Sequence, residues 1–177
     1  MKTKLYLILC VIITSCFNNN SQLIISPDQT VIKFLNWYND HLNEFQNINF
    51  IKTSNDGYKI DSISVEKFLM KLKSSDLVSD NYIQWFKIYF KKCNDNFKKT
   101  KQNDGPPLGL DADLIMWSNS DYEKELLNLD KVQITEEYIN NEKARIKLKF
   151  IGGREITYFL LKTDKWYIEE IRNINEL

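Results

Sequence analysis

The spacing of the apolar residues changes once along this chain, and that change constrains the fold more than any other feature. Between residues 27 and 100 apolar side chains recur every three or four positions, whereas beyond residue 132 they alternate. The first period is that of one helix face and the second that of a strand. Helices followed by antiparallel strands are typical of an α+β domain. The sequence therefore predicts three N-terminal helices packed on a C-terminal, curved, cone-like antiparallel meander of about four strands.

Start and stop signals place the three helices. The first should span residues 27–46, because Ser26-Pro27-Asp28 combines a capping side chain, a proline at the first helical position and an acid near the positive end of the helix dipole. Ser64 should cap the second helix, and Ser79 with Asp80 the third. The third should end before Asp104-Gly105-Pro106-Pro107, because prolines remove backbone donors and fix φ.

Alternation and turn residues predict the meander. Apolar residues from Ala144 to Phe150 alternate with basic ones, as in an antiparallel strand with one solvated face. Gly152-Gly153 predicts a two-residue hairpin turn, after which residues 156–161 are apolar on both faces and should form a central strand. The two outer strands are predicted around Val132 and Ile134 and from Trp166 to Ile171.

The N-terminus has the pattern of an export signal. Lys2 and Lys4 precede an uncharged run from Leu5 to Ile13, about half of the roughly 20 residues that a membrane-spanning helix needs. Ile13-Thr14-Ser15-Cys16 then resembles the bacterial lipobox, whose cysteine is diacylated before cleavage. The resemblance implies a lipoprotein signal peptide over residues 1–15 and lipidation of Cys16. An ordinary secretory signal with a chance cysteine is the alternative.

The predicted domain organisation follows from that signal. Residues 16–25 should form a tether between the lipid and the folded part. Residues 26–177 should form a single α+β domain, since roughly 150 residues can enclose one hydrophobic core. The lipid anchor would make the membrane a partner and place the protein in the cell envelope. Export to the cell surface resembles a rule that needs acidic residues just after the lipid cysteine, and since none is there we expect the periplasmic face.

Charge and cysteine content narrow the functional classes. Without the predicted signal the chain has two more acidic than basic side chains, so no basic face for nucleic acid is implied. Cys10 would leave with the signal and Cys16 would carry lipid, which leaves Cys93 without a disulfide partner in the chain. Cys93 lies in an apolar helical pattern, and with His41 as the single histidine no Cys/His pair can be assigned. We therefore expect a buried, inert thiol.

Several stretches of the predicted domain resemble a known family. They are Val31 to Leu42 with its Phe34 and Trp37-Tyr38 pair, Ser74 to Ser79, the loop from Asp104 through Asp111-Ala112-Asp113, and Lys165-Trp166-Tyr167-Ile168. They resemble an uncharacterised family of bacterial exported proteins with a domain of unknown function. That family is similar to the nuclear transport factor 2-like, or cystatin-like, cone. The resemblance covers roughly residues 27 to 174 and implies a fold but no activity; this chain differs in that its early strand, near Tyr58 to Ile60, is weak.

Two groups of polar residues could carry chemistry. Asp111 and Asp113 could ligate calcium or could instead clamp their loop, since the glycine and terminal glutamate of a helix-loop-helix calcium site are missing. His41 with Asp40 or Glu44 could form an acid–base pair, although residues three apart on a helix commonly pair at the surface. One histidine and one free thiol fall short of the three or four ligands of a transition-metal site, so no metal or other cofactor is predicted.

A third group is aromatic, and it could either line a pocket or belong to the core. Its members are Trp37, Tyr38, Trp85, Tyr89, Trp117, Tyr158 and Trp166. The sequence favours a non-enzymatic module that holds a small apolar ligand or docks a protein partner, as an inhibitor or immunity protein would. The alternative is an enzyme that uses a cone pocket, for which no catalytic residue can be assigned. A filled cone would favour interaction, and a deep cavity with an ionisable residue at its base would favour the enzyme.

Overall fold

A computed structural model of the protein describes residues 25–119 and 122–173. The predicted signal peptide, Cys16 and all of the tether except its last residue lie outside these ranges. Within the two ranges the helices come before a four-stranded antiparallel sheet, which confirms the predicted α+β fold. No helix in this described part of the chain has the length and apolar character needed to cross a membrane.

The first predicted helix is in fact two helices. α1 spans Pro27–Asp40 and α2 spans Leu42–Gln46, with a break at His41. The ring Nδ1 of His41 donates to the carbonyl oxygen of Trp37 at 2.7 Å, while the backbone N–H of His41 bonds to the carbonyl of Tyr38 at 3.1 Å. Because the ring satisfies the carbonyl that a continuous helix would use, the last turn tightens and α1 ends there.

The cap predicted for the second long helix, Ser64, is wrong. α3 spans Ser62–Lys73, and its cap is Asp61, whose carboxylate accepts the backbone N–H of Ile63 at 3.1 Å. The Ser64 hydroxyl donates to the same carboxylate at 3.2 Å. An aspartate one turn earlier therefore satisfies the free N–H groups better than the serine can.

The third long helix begins where the sequence predicts. α4 spans Asp80–Thr100, and the hydroxyl of Ser79 accepts the backbone N–H of Tyr82 at 3.1 Å. The helix ends at Lys101, which has a left-handed backbone, shortly before the predicted proline loop. The apolar side of α4 is buried in the core, and its opposite side faces solvent.

The weak early strand is one half of a separate hairpin. β1 spans Ile51–Ser54 and pairs with β2, which spans Gly57–Ile60. This two-stranded sheet packs on α4 and is not part of the meander. Two further short elements follow the loop after α4: helix α5 spans Tyr122–Leu126, and a 3-10 turn spans Leu129–Lys131.

The meander forms as predicted, with its strands in chain order. The strands are β3 (Gln133–Asn140), β4 (Lys143–Lys149), β5 (Glu155–Lys162) and β6 (Trp166–Asn173), and all neighbours are antiparallel. β5 lies between β4 and β6, which confirms it as a central strand. Register shifts mark a bulge in β3, at Thr135, and one in β6, at Glu169 opposite Phe159 and Leu160, and bulges bend and twist the strands that carry them.

The turn between β4 and β5 is longer than the predicted two residues. Phe150 and Arg154 still pair, with the N–H of Phe150 on the carbonyl of Arg154 at 2.9 Å, so three residues form the loop. Gly153 adopts a φ of +83°, and its N–H returns to the carbonyl of Phe150 at 2.9 Å. A three-residue loop with glycine in the left-handed position is the next common hairpin after the two-residue one.

The helix-facing side of the sheet is filled by side chains. Ile146 and Leu148 of β4, Ile156 and Tyr158 of β5 and Ile168 of β6 have no solvent-accessible surface, and neither do Phe34 and Tyr38 of α1. A side chain without accessible surface cannot line a water-filled pocket. The cone mouth that the aromatic residues could have lined is therefore closed on this face.

Candidate interaction surface

Two aromatic side chains of α4 lie together on its outer side. Trp85 and Tyr89 are four residues apart, so their side chains are neighbours on the helix surface. Their rings are stacked, with centroids 5.2 Å apart and planes inclined by 18°. Trp85 is 39% exposed and Tyr89 is half-buried, so part of this stack is accessible to a partner molecule.

A third ring joins this pair from the loop between α4 and α5. The indole of Trp117 lies 5.8 Å from the rings of both Trp85 and Tyr89, and its plane is inclined by 74° and 90° to theirs. Edge-to-face contacts of this kind are favourable because the positive ring edge meets the negative ring face. The three residues are called the aromatic cluster below.

The backbone beneath Trp117 is held in an unusual conformation. Its φ is +48°, in the left-handed region that costs a non-glycine residue conformational energy. The side chain of Asn173, at the end of β6, donates to the carbonyl of Trp117 at 3.1 Å. The guanidinium of Arg154 donates to the preceding carbonyl, that of Met116. The β4–β5 turn and the end of β6 therefore fix the position of the loop residue that completes the aromatic cluster.

Asp113 clamps the same loop from its other end. Its carboxylate accepts the N–H groups of Ile115 at 2.9 Å and Met116 at 2.6 Å, and also the hydroxyl of Tyr38 from α1. Its own N–H donates to the carbonyl of Ser118 at 2.8 Å. Burial raises the pKa of Asp113, and burial together with the neighbouring carboxylate raises the pKa of Tyr38 well above its ordinary value. Tyr38 is therefore a neutral donor in this pair.

A buried ion pair supports Arg154 in turn. Its Nε donates to Oε2 of Glu125, on α5, at 3.0 Å, and a second guanidinium nitrogen contacts the same oxygen. Both side chains are largely buried, at 13% and 9% exposure. A buried pair of this kind costs stability when one partner is removed, because the other charge remains without compensation. The pair ties the β4–β5 turn to α5 and to the loop of Trp117.

The loop before Asp113 packs closely on the inner flank of the cluster. The Tyr89 hydroxyl donates to the carbonyl of Gly109, and burial, followed by the nearby Cys93, raises the pKa of Tyr89 to about 12. A Cβ on Gly109 would lie 3.2 Å from both that hydroxyl and the Cys93 sulfur, so a larger residue would separate loop and helix. Cys93 is buried and burial raises the pKa of its thiol, which confirms the predicted buried thiol.

One basic side chain lies beside the aromatic cluster on α4. Lys92, seven residues after Trp85, is exposed on the same side of the helix. It has no ion-pair partner within residues 25–119 and 122–173. Ile88, three residues after Trp85 and 56% exposed, adds apolar surface next to it. The surface therefore combines aromatic and apolar area with one positive charge at its edge.

The polar candidates from the sequence do not come together as a reactive site. The His41 ring is bound to a carbonyl of its own helix, and Glu44 forms an ion pair with Lys71 at 2.8 Å, not with His41. Asp111 is exposed, whereas Asp113 is the loop clamp. Within the described residues there is no group of three or more His, Cys, Asp or Glu side chains arranged to hold a metal ion.

The aromatic set predicted from the sequence divides into the three residues of the aromatic cluster, three residues of the core, and Trp37. Tyr38, Tyr158 and Trp166 are buried in the core, so their part in a cone-mouth pocket is wrong and their reading as core residues is confirmed. Trp37 is half-buried against His41, with ring centroids 4.8 Å apart. Sequence reasoning missed the supporting residues Arg154, Glu125 and Asn173. No local pattern relates them, because each meets its partner only through the packing of remote elements.

Comparisons with known proteins give a distant structural likeness. No family model and no curated protein matches this sequence. A chain of the native type VI effector–immunity complex Tae3–Tai3 from Ralstonia pickettii matches with a TM-score of 0.48 and 16% identity, over 86% of this chain and 98% of that chain. A chain of the selenomethionine form of that complex matches with a TM-score of 0.45 and 16% identity, over 86% and 99%. At these values the likeness assigns no function to this chain, and the resemblance to an exported family stays a prediction.

Proposed function

We propose that this chain is a non-enzymatic protein-interaction module of the cell envelope that docks a protein partner on the aromatic cluster of Trp85, Tyr89 and Trp117. One observation carries the proposal: the exposed ring of Trp85 contacts the half-buried rings of Tyr89 and Trp117, and hydrogen bonds from α1, the β4–β5 turn and β6 hold the loop of Trp117 in place. Tryptophan and tyrosine dominate the energetic centres of protein interfaces. A surface that is already ordered loses little conformational entropy when it binds.

The interior of the fold supports interaction over catalysis. The helix-facing side of the sheet is filled, so it offers no reaction vessel and no room for a small apolar ligand. Asp113, a carboxyl whose pKa is raised by burial, has its oxygens occupied by Tyr38 and two backbone N–H groups. A module of this kind acts by covering part of its partner, as an inhibitor or immunity protein does, and we propose that form of the function.

The envelope location rests on the N-terminal sequence. Lys2 and Lys4, the uncharged run from Leu5 to Ile13 and the cysteine at position 16 support export and a lipid anchor facing the periplasm. Two or more acyl chains hold a protein stably at a bilayer, whereas one alone does not. The anchor would keep the aromatic cluster within reach of partners in the same compartment.

Photo-crosslinking in cells tests the docking surface. A photoreactive benzoylphenylalanine at position 85 of the full chain should form a discrete adduct with a protein other than this chain. The matched control is Tyr138, an aromatic residue on β3 with 53% exposure, where the same group should form no such adduct. Equal adducts at the two positions, or none at position 85, would contradict the proposal.

The adduct then allows a quantitative measurement. Once the partner in the adduct has been identified and purified by itself, Trp85→Ala should weaken the binding of this chain to that partner by roughly thirtyfold, the effect of losing one central aromatic anchor. Tyr138→Ala should leave the affinity unchanged. Because Trp85 is partly exposed, circular dichroism should show the variant to be folded. An unchanged affinity of the Trp85→Ala variant would show that the partner binds outside the aromatic cluster.

A further inference from the structure

A second surface, separate from the aromatic cluster, lies on the outer side of α3. A groove of about 670 Å³ runs between α3 and the segment that follows α2. Ile63 and Met70 of α3 border it with 74% and 71% of their surface exposed, and the buried side chain of Ile48 lies at its base. Large apolar side chains with this much exposure on one helix form a patch that a second molecule can cover.

Apolar and charged residues follow one another in a symmetric order along the exposed side of α3. Ile63 and Met70 are seven residues apart, two helical turns, so they lie on the same side of α3. Glu66 and Lys67 are exposed between them and have no ion-pair partner within residues 25–119 and 122–173. The stripe thus runs apolar, acidic, basic, apolar. When a second copy of the stripe runs in the opposite direction, each apolar residue faces an apolar residue and each charge faces the opposite charge.

We propose that the occupant of this groove is a second copy of the chain, with the two α3 helices packed antiparallel about a two-fold axis between Glu66 and Lys67. That axis places Ile63 opposite Met70 of the second copy. It also places Glu66 opposite Lys67 of the second copy, and because the interface is symmetric each contact occurs twice. Charge complementarity at the centre selects the antiparallel register, and the apolar pairs on both sides supply the buried area.

Two other lysines of α3 are already in ion pairs. Lys71, one turn after Lys67, is already paired with Glu44 at 2.8 Å at the edge of the groove. Lys73, near the end of α3, is paired with Asp80 at 2.6 Å. Glu66, which borders a smaller depression together with Lys91, and Lys67, whose charge acts on Glu44, form no ion pair within the described residues and can pair across the axis. α3 has 12 residues and is about 18 Å long, so the contact is small and the dimer should dissociate on dilution.

Cysteine cross-linking of the full chain in membranes tests the dimer. Oxidation of the Ile63→Cys/Met70→Cys variant should give a covalent dimer of twice the chain mass, because each new thiol faces its partner across the axis. The control is Leu127→Cys, which lies just after α5 at 73% exposure, outside both proposed surfaces, and should give little dimer. A yield no higher than that of the control, or an adduct with the mass of a different protein, would overturn the proposal.

Exchanging the charges of Glu66 and Lys67 in the double-cysteine variant distinguishes a specific dimer from cross-linking by random collision. Glu66→Lys or Lys67→Glu alone should lower the yield about fivefold, because two facing pairs become repulsive. Glu66→Lys combined with Lys67→Glu should restore it, since opposite charges face each other again. If the combined variant stays as low as the single ones, the antiparallel register is wrong. None of these residues belongs to the aromatic cluster, so either proposal can fail without the other.

Discussion

Asp113 shows how one side chain can decide the presentation of a surface. It links α1, through Tyr38, to the backbone of the loop that carries Trp117, and it does so in a buried position. Burial disfavours the charged form, while the donors from Tyr38 and the backbone favour it. Burial has the larger effect, so the pKa of Asp113 is raised.

The raised pKa predicts a pH-dependent stability. The native state binds a proton on Asp113 at higher pH than the unfolded chain, so the contribution of this residue is complete below the ordinary carboxyl pKa of about 4 and is lost as the pH rises through the folded-state pKa. The free energy of unfolding of the wild type minus that of Asp113→Asn should therefore fall as the pH rises from about 3.5 to about 7. Urea denaturation across that range measures both proteins.

Subtracting the variant isolates this one carboxyl. Glu44 and Asp61 have lowered pKa values because of their hydrogen bonds to Lys71 and Lys52, so they act in the opposite direction, but they are the same in both proteins. A difference that grows with pH would show that Asp113 is more acidic in the native state than in the unfolded chain.

At the scale of elements, β6 joins the helices to the sheet. Its Ile168 exchanges backbone hydrogen bonds with the segment before α4: the N–H of Ile168 donates to Leu77 and the N–H of Ser79 donates to Ile168, both at 2.9 Å. Trp166 at the start of the strand is 5% exposed. These observations place Trp166 and Ile168 in the core.

Truncation of Trp166 should therefore be costly. Trp166→Ala removes a large buried side chain and leaves a cavity, so the free energy of unfolding should fall by about 3–5 kcal/mol. Tyr138→Ala, on the exposed edge strand β3, should change it by no more than about 0.5 kcal/mol. Chemical denaturation of both variants and the wild type provides the comparison, and similar values for the two would place Trp166 outside the core.

For the molecule as a whole, the proposed function depends on attachment to a membrane. The described part of the chain has no helix able to span one, and the predicted attachment is the lipid on Cys16. The charge of the chain without its signal is slightly acidic, which gives it no general attraction to anionic lipid surfaces. The acyl chains would then supply the membrane affinity.

Cell fractionation tests this attachment. Cys16→Ser should move the protein from the detergent-extracted membrane fraction to the soluble periplasm, because the acyl chains can no longer be added. Cys10→Ser, inside the predicted signal, should leave the protein in the membrane fraction. A Cys16→Ser protein that remains membrane-bound and uncleaved would identify residues 1–16 as a signal anchor instead.

The sequence by itself determined the elements whose signals are local. The proline and capping residues at Ser26 and Ser79, the alternation from Ala144 to Phe150 and the switch of period predict helices, strands and class of fold, because each depends on neighbours within a few residues. Two local predictions fail because a side chain bonds to the backbone of a near neighbour in place of the expected pattern: the helix breaks at His41, whose ring binds the Trp37 carbonyl, and Asp61 replaces Ser64 as a cap.

Only the tertiary structure decided which side chains form the candidate surface. Tyr38 and Asp113 are 75 positions apart, and Arg154 and Glu125 are 29 apart. Trp117 contacts the stack on α4 because these contacts hold its loop in place. Periodicity states which face of an element is buried, but the docking of whole elements on one another determines which remote residues meet on that face.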